Sequence, residues 1–215
     1  MDNAVNIFRG RHYSECEGMV KKYNNYIENS DILDIGSNVG FFSEAIVKNT
    51  NYKSIHLFEP SKEYYEYSKT LLQNYNNIYF NNYGLSNQDD TKTLYKSPDI
   101  NNIGWNTFLE KDPNQTDYFI YYMIPEKCSL KKLDDYQIDN VDFIKIDVEG
   151  FEHKVLEGGM NFISKHKPYL LIEVGWGTNH PNWDECEKQY NKLFDIGYKK
   201  VVFQNYTQDI LFEPM

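Results

Sequence analysis

The chain is poor in several things that would steer its reading elsewhere. It has three cysteines, Cys16, Cys128 and Cys186, far apart and with no C-x-x-C spacing; free thiols in a reducing compartment fit this better than a disulfide frame or a zinc site. Positive charge is scarce. The 215 residues carry a formal net charge of −10, with a pI near 5.0, so a partner held by many phosphate contacts would meet a repelling average surface. Nucleic acid is therefore disfavoured. Arg9 and Arg11 are the only arginines, and every other basic position is lysine. An arginine fork suits a carboxylate or phosphate; a plain surface pair is the alternative. No apolar run approaches the ~20 residues of a membrane span, and the start, MDNAVNIFRGRHYSE, lacks a basic stretch followed by an apolar one. A cytoplasmic protein is expected. No Pro/Gly/Ser-rich linker divides the chain, so one domain over 1–215 is expected.

What is present is an alternation. Short apolar or β-branched runs at 32–35, 54–58, 77–81, 141–147 and 169–174 read as strands. Helical patterns at 40–49, 61–75, 151–166 and 182–197 lie between or after them. Alternating strands and helices imply crossover connections, hence an α/β fold with a mostly parallel sheet covered on both faces. Residues 1–30 read as a leading helical segment. Residues 87–140 break the alternation, with strand-like TKTLY and YFIYYMI around a polar excursion, and the end reads as a hairpin.

Open α/β sheets bind ligands at the carboxyl ends of their strands. Those ends here carry glycines and carboxylates: Asp34 to Gly40, Glu59, Asn82 to Ser86, Asp147 to Gly150, and Glu173 to Gly177. The turn Gly36-Ser37-Asn38-Val39-Gly40 has Asn38 where the dinucleotide fingerprint needs its middle glycine. A pyrophosphate is poorly supported by that turn. Glu59, nineteen residues after Gly40, stands where a carboxylate accepts from both hydroxyls of a ribose, so an adenosine is better supported.

The segments DIGSNVGFFS, LFEPS, NNYGLSN, LDDY and DFIKIDVEGFEHKVLEGG, followed by PYLLIEV, resemble the FkbM family of S-adenosylmethionine-dependent methyltransferases, in the family's order over roughly residues 30 to 175. The family usually has alanine where this chain has Ser37. The resemblance implies the class I methyltransferase fold, a Rossmann-like seven-stranded sheet with its last strand antiparallel. It also implies that Asp34, Gly36, Ser37, Asn38 and Gly40 wrap the methionine and ribose part of S-adenosylmethionine. Glu59 would then hold the ribose diol, with Asn82, Tyr83 and Ser86 near the adenine and Asp147 also among the cofactor-binding residues.

Methylating a hydroxyl requires in-line alignment and loss of a proton, so a base or a metal is needed. Asp147, Glu149 and Glu173 end neighbouring strands; with a histidine near, they suit a hard cation such as Mg²⁺. Capping a helix or holding the cofactor's ammonium group are the plainer roles. His180, in a loop after the 169–174 strand with Asn179 and Pro181, a mobile setting from which an imidazole could reach an acceptor hydroxyl, is a candidate base, whereas His153 sits in a first helical turn that disfavours its protonation. Strand parity places Lys145 beside Phe143 and Asp147 in an apolar strand, so it needs a carboxylate partner, Asp147 or Glu173. Acceptor contacts are expected from 101–108 and 175–185, which hold all three tryptophans, Trp105, Trp176 and Trp183. Glu213 reads as a solvated terminal carboxylate. The expected acceptor is a hydroxylated small molecule or carbohydrate, with oligomeric state open. The rivals are an RNA ribose 2′-O-methyltransferase, which a lysine in place of Glu173 would favour, and a cofactor-binding subunit without activity.

Overall fold

A computed structural model describes residues 2–99, 101–109, 123–174, 177–201 and 209–215. Helix α1 (Asp2–Lys22) and the short α2 (Asn24–Ile27) lead into β1 (Ser30–Ile35). Then follow α3 (Phe41–Asn49), β2 (Tyr52–Phe58), α4 (Lys62–Leu72) and β3 (Ile78–Asn81). β4 (Gly84–Ser86), β5 (Asp90–Lys96) and β6 (Ile124–Lys132) form a separate three-stranded sheet in the order β4-β6-β5. The chain then returns with β7 (Phe143–Ile146), α5 (Glu152–Glu157), α6 (Met160–His166) and β8 (Tyr169–Glu173). It closes with α7 (Trp183–Asp195), β9 (Tyr198–Val201) and β10 (Asp209–Pro214).

The main sheet has seven strands in the order β3-β2-β1-β7-β8-β10-β9. β3, β2, β1, β7 and β8 are parallel, and β10, the last in sequence, runs antiparallel between β8 and β9. The order reverses between β1 and β7, which makes their carboxyl ends the place where a crevice opens.

Side-chain alternation along the strands builds a core on each face. Leu33, Ile35, Ile144, Ile146, Leu170 and Ile172 point to one face, where they pack with Val155, Leu156, Phe162, Ile163 and Leu193 from α5, α6 and α7. Ile32, Ile55, Leu57, Phe143 and Leu171 point to the other, against Val20 and Ile27 of the leading helices and Phe42, Ala45 and Ile46 of α3. The two-sided burial accounts for the nearly uninterrupted apolar character of β1, β7 and β8.

Two glycines set the geometry of the strand ends. Gly36 has φ +79°, and a Cβ there would stand 1.9 Å from the carbonyl oxygen of Asp147; the first turn is shaped by the close approach of β7's end. The single helix expected over 151–166 is instead two, α5 and α6, parted at Gly158-Gly159. A Cβ on Gly158 would fall 2.0 Å from the carbonyl oxygen of Ser86, so the helix opens where β4 presses on it.

The excursion holds strands at both ends, as expected, but β4 and β6 are not marked by their residues. β6 runs IPEKCSLKK, and only Cys128 and Leu130 are buried. Of the strand-like YFIYYMI, only the end belongs to β6, and residues 118–122 lie outside the described residues. Glu213, expected in solvent, is partly covered and pairs with Lys199 at 2.6 Å across the β9–β10 hairpin. Among the described residues no helix is long and apolar enough to cross a membrane.

Candidate active site

The carboxyl ends of β1, β2, β7 and β8 open into a cavity of about 600 Å³. Its first wall is the turn after β1. Asp34 is wholly buried; its Oδ2 accepts from Ser43 Oγ at 2.6 Å, and its Oδ1 has no partner among the described residues. Burial pushes its carboxyl up, against the pull of Lys145 and the Ser43 hydroxyl. Ser37 Oγ is likewise buried without a partner. Two sealed, unspent polar atoms in a cavity wall are costly in the free protein and suit a polar ligand. Asn38, at φ +49°, donates through Nδ2 to the Ile103 carbonyl at 3.0 Å, tying this turn to the 101–109 segment.

Glu59 faces the turn from the end of β2. Its Oε2 accepts from the backbone N–H of Asn38 and its Oε1 from that of Ser61, both at 2.8 Å. Burial pushes its carboxyl up to about 8, although both N–H groups oppose the shift. Each oxygen keeps a lone pair, the provision a vicinal diol requires. Asn82, Tyr83 and Ser86 do not line the cavity. Asn82 Nδ2 donates to the carbonyls of Glu59 and Pro60, Tyr83 packs on Phe58, and Ser86 Oγ meets Asn87 Oδ1. Gly84 and Leu85, between them, form the wall instead.

The opposite wall is acidic. Lys145 is paired across the strands with Asp34 on one side and Leu171 on the other, facing the α3 side as parity requires. Its Nζ lies 2.7 Å from Asp147 Oδ2, so of the two expected partners Asp147 is the one engaged. Asp147, Glu149 and Glu173 bring one carboxylate oxygen each within 4.8 Å of one another. A single lysine does not balance three carboxylates. Burial works against Asp147's charge, but Lys145 and a hydrogen bond from Glu173 hold its carboxyl low. Glu173 is pushed up first by the Asp147 charge and then by burial. Glu149, which has φ +52°, is pushed up by burial and then by Asp147. The arrangement is a carboxylate sharing a proton with a carboxyl group, next to a third carboxyl poised to titrate.

Glu152 supports this turn from below. It is buried and its Oε1 accepts from the backbone N–H of Val148 and of Gly150 at 3.0 and 3.2 Å. Sequence reasoning missed it, although a carboxylate in the first turn of a helix, after a glycine turn, is a recognisable acceptor for loop N–H groups.

Two further walls stand out. Trp105, Asn106 and Phe108 line the cavity from the 101–108 segment as expected. Trp183 packs edge-on against Tyr190 within α7, away from the cavity, and Trp176 lies outside the described residues. The unexpected wall is α1, through Phe8, His12, Glu15, Cys16 and Met19. Positions 8, 12, 15, 16 and 19 share one helical face, so the signal was available in the spacing. Arg9 turns away from the cavity and ties α1 to α3 through Glu44 Oε1 at 2.6 Å, with its guanidinium over the Phe41 ring. The side chain of Arg11 lies outside the description.

His180 is not in the mobile setting its loop suggested. It is buried, its Nδ1 accepts from the Asn182 backbone N–H at 2.9 Å, and its Nε2 lies 2.7 Å from the Gly150 carbonyl. It does not line the cavity. His153 is buried as well, with its pKa lowered to about 4 by burial and by Lys154.

The profile of the Methyltransferase FkbM domain family matches residues 34–200. No curated protein matches the sequence. Among solved structures, a methyltransferase FkbM from Methylobacillus flagellatus is similar at 17% identity and a TM-score of 0.59, over 86% of this chain and 43% of that one. This chain therefore spans less than half the length of that relative. An rRNA methylase from Streptococcus thermophilus is similar at 12% identity and a TM-score of 0.52, over 89% of this chain and 90% of that one. A Streptococcus mutans protein assigned as a methyltransferase, solved with S-adenosylhomocysteine, is similar at 11% identity and a TM-score of 0.51, over 88% and 91%. At these identities the likeness shows the fold.

Proposed function

The chain belongs to the FkbM methyltransferase family, and from that premise we propose that it is an S-adenosylmethionine-dependent O-methyltransferase acting on a hydroxyl of a glycan, glycolipid or small natural product. The observation that carries the O-specific part is the acidic wall of Lys145, Asp147, Glu149 and Glu173, which offers proton acceptors opposite the turn suited to the cofactor.

The residues present fit the cofactor. Asp34 and Ser37 have unspent polar atoms for its methionine end, Gly36, Asn38 and Gly40 give the backbone turn, and Glu59 takes the ribose diol. Asn82 acts through the Glu59–Pro60 carbonyls that it holds, while Tyr83 and Ser86 support the same wall from behind. When bound, the cofactor supplies an electrophilic methyl group on a cationic sulfur. Glu149 is the residue assigned to take the hydroxyl proton from its ionised form: burial and Asp147 raise its carboxyl to about 9, which makes the carboxylate a strong proton acceptor and places its working range on the alkaline side of neutral. The Lys145–Asp147–Glu173 chain fixes the neighbouring charges, and Trp105 offers an aromatic face to the acceptor. A second reading places a divalent cation such as Mg²⁺ on Asp147, Glu149 and Glu173, whose oxygens are close enough to share one.

The RNA reading has less support, since the net charge is −10 and Glu173 stands where a lysine would be wanted. A subunit without activity would be marked by lost strand-end carboxylates, and Asp34, Glu59, Asp147 and Glu173 are all present. The test is incubation with methyl-labelled cofactor and an extract of the source organism, followed by mass spectrometry. Label on an oxygen of a small or glycan acceptor is expected. Label on RNA, or on nitrogen alone, would overturn the reading.

A further inference from the structure

A second group of donor atoms lies outside the cavity lining, next to the Gly150 end of the acidic turn. His153 sits in the first turn of α5, His180 just past the short 3₁₀ turn Gly177–Asn179, and Cys186 in the first turn of α7. All three are buried, at 3%, 7% and 3% exposure. One ring nitrogen of each histidine and the Cys186 Sγ lie within 4.8 Å of one another, and Sγ is 3.7 Å from His180 Nδ1.

Two features of this group resemble a ligand set more than a packed core. The His180 ring has a fixed tautomer: Nδ1 accepts from the Asn182 N–H, so Nε2 carries the hydrogen and donates to the Gly150 carbonyl. A metal-binding histidine commonly donates from one nitrogen to a backbone carbonyl in this way; the lone pair of His180 Nδ1 is spent on the Asn182 N–H and has to be released for an ion to bind. Independently, His153 Nδ1 is sealed from solvent with no hydrogen-bond partner among the described residues. A buried nitrogen of this kind calls for a partner such as an ion.

We propose that His153, His180 and Cys186 form a binding site for a zinc ion. Two imidazoles and a thiolate are a donor set for zinc and unsuited to magnesium or calcium. With bonds of about 2.0–2.3 Å, neighbouring donors on a zinc tetrahedron stand about 3.3–3.8 Å apart. The His180–Cys186 separation already meets this, and the others close by side-chain rotation. As the Zn–S bond forms, the Cys186 proton passes to solvent and the Asn182 N–H gives up His180 Nδ1. Water fills the fourth position. The ion ties α5, the 3₁₀ turn and α7 together beside Gly150, and so braces the turn that carries Glu149. Paired-cysteine spacing, the usual sequence mark of zinc, is absent because the ligands come from three separate elements.

The test is Co²⁺ titration of the metal-stripped protein, read by absorption. A thiolate-to-cobalt charge-transfer band with tetrahedral ligand-field bands should appear, saturate at one equivalent and vanish on adding Zn²⁺. Cys186→Ala should abolish the band and Cys128→Ser should keep it. His153→Gln, with the thiol intact, should weaken Co²⁺ binding at least tenfold, and Zn²⁺ should raise the melting temperature of the parent protein but not of that variant. Absence of the thiolate band, its persistence in Cys186→Ala, or only weak octahedral bands, which would place the ion on the Asp147 cluster, overturns the proposal.

Discussion

Lys145 and Asp147, two residues apart on the same side of one strand, close an ion pair of 2.7 Å at the point where β7 leaves the sheet. The lysine also faces Asp34 across the strands. Among the described residues it is thus the lysine or arginine that stands between a wholly buried carboxylate of the first turn and the acidic wall, and the two halves of the cavity share it.

Lys145→Met should therefore destabilise the protein by about 3 kcal/mol, the lower end for a broken buried pair because Asp147 faces the cavity. Most of the loss belongs to Asp34, which is left buried without its nearest cation. Urea unfolding at neutral pH measures this. A change below about 0.5 kcal/mol would show that the pair does not organise the strand ends.

Cofactor choice follows from the first turn and Glu59. S-adenosylhomocysteine at a hundredfold excess over its dissociation constant should stabilise the protein by about 2.7 kcal/mol in a thermal melt, and NAD should not. Glu59→Ala should remove most of that gain. Equal stabilisation by NAD would sink the assignment.

The raised carboxyl of Glu59 also makes a pH prediction. Its folded value of about 8 lies above the ordinary 4.5, so between these values the folded protein binds more protons than the unfolded chain. Its contribution is complete below about 4.5 and is lost as pH rises toward 8. Glu149 and Glu173 act in the same direction, so the informative quantity is a difference. Glu59→Gln should flatten the decline in ligand-free stability between pH 5 and pH 8, measured by urea unfolding. An unchanged slope would show that Glu59 is already ionised in the free protein.

The strand ends were legible in the sequence because each is a local event. An apolar run that stops at Asp34, Glu59, Asp147 or Glu173 announces both the sheet and its ligand edge, and parity alone placed Lys145 with a carboxylate. What was not legible depends on contacts far apart in the chain. The break between α5 and α6 is caused by Ser86, some seventy residues earlier. β6 shows little apolar period because most of its residues face solvent, and β4, though buried, is only the three residues Gly84–Ser86, too short to show one. His180 looked free because nothing local reveals that Gly150 and Asn182 take its nitrogens. The α1 wall lay in plain spacing, but a leading helix carries no mark that its face meets a cavity.

Nucleic-acid affinity should be weak and fall steeply with salt. The average surface is negative, and the cavity walls hold Asp34, Glu59, Asp147, Glu149 and Glu173 against Lys145. Filter binding with RNA and DNA at moderate salt tests this, and tight binding there would favour the RNA reading.

The last prediction separates the proton acceptors. If Glu149 takes the hydroxyl proton, Glu149→Gln should cut turnover by about 10² to 10⁴-fold with little change in cofactor affinity. The rate should fall as pH drops through its raised value, since burial and Asp147 favour the protonated, inactive form. His180→Gln should instead lower the melting temperature while leaving that acid limb where it is, because the His180 lone pair is engaged by Asn182 outside the cavity. If a cation on the three carboxylates acts, chelator should abolish activity, Mg²⁺ should restore it, and Glu149→Gln and Glu173→Gln should behave alike. An acid limb that moves with His180→Gln and stays with Glu149→Gln would reverse the assignment in favour of the imidazole.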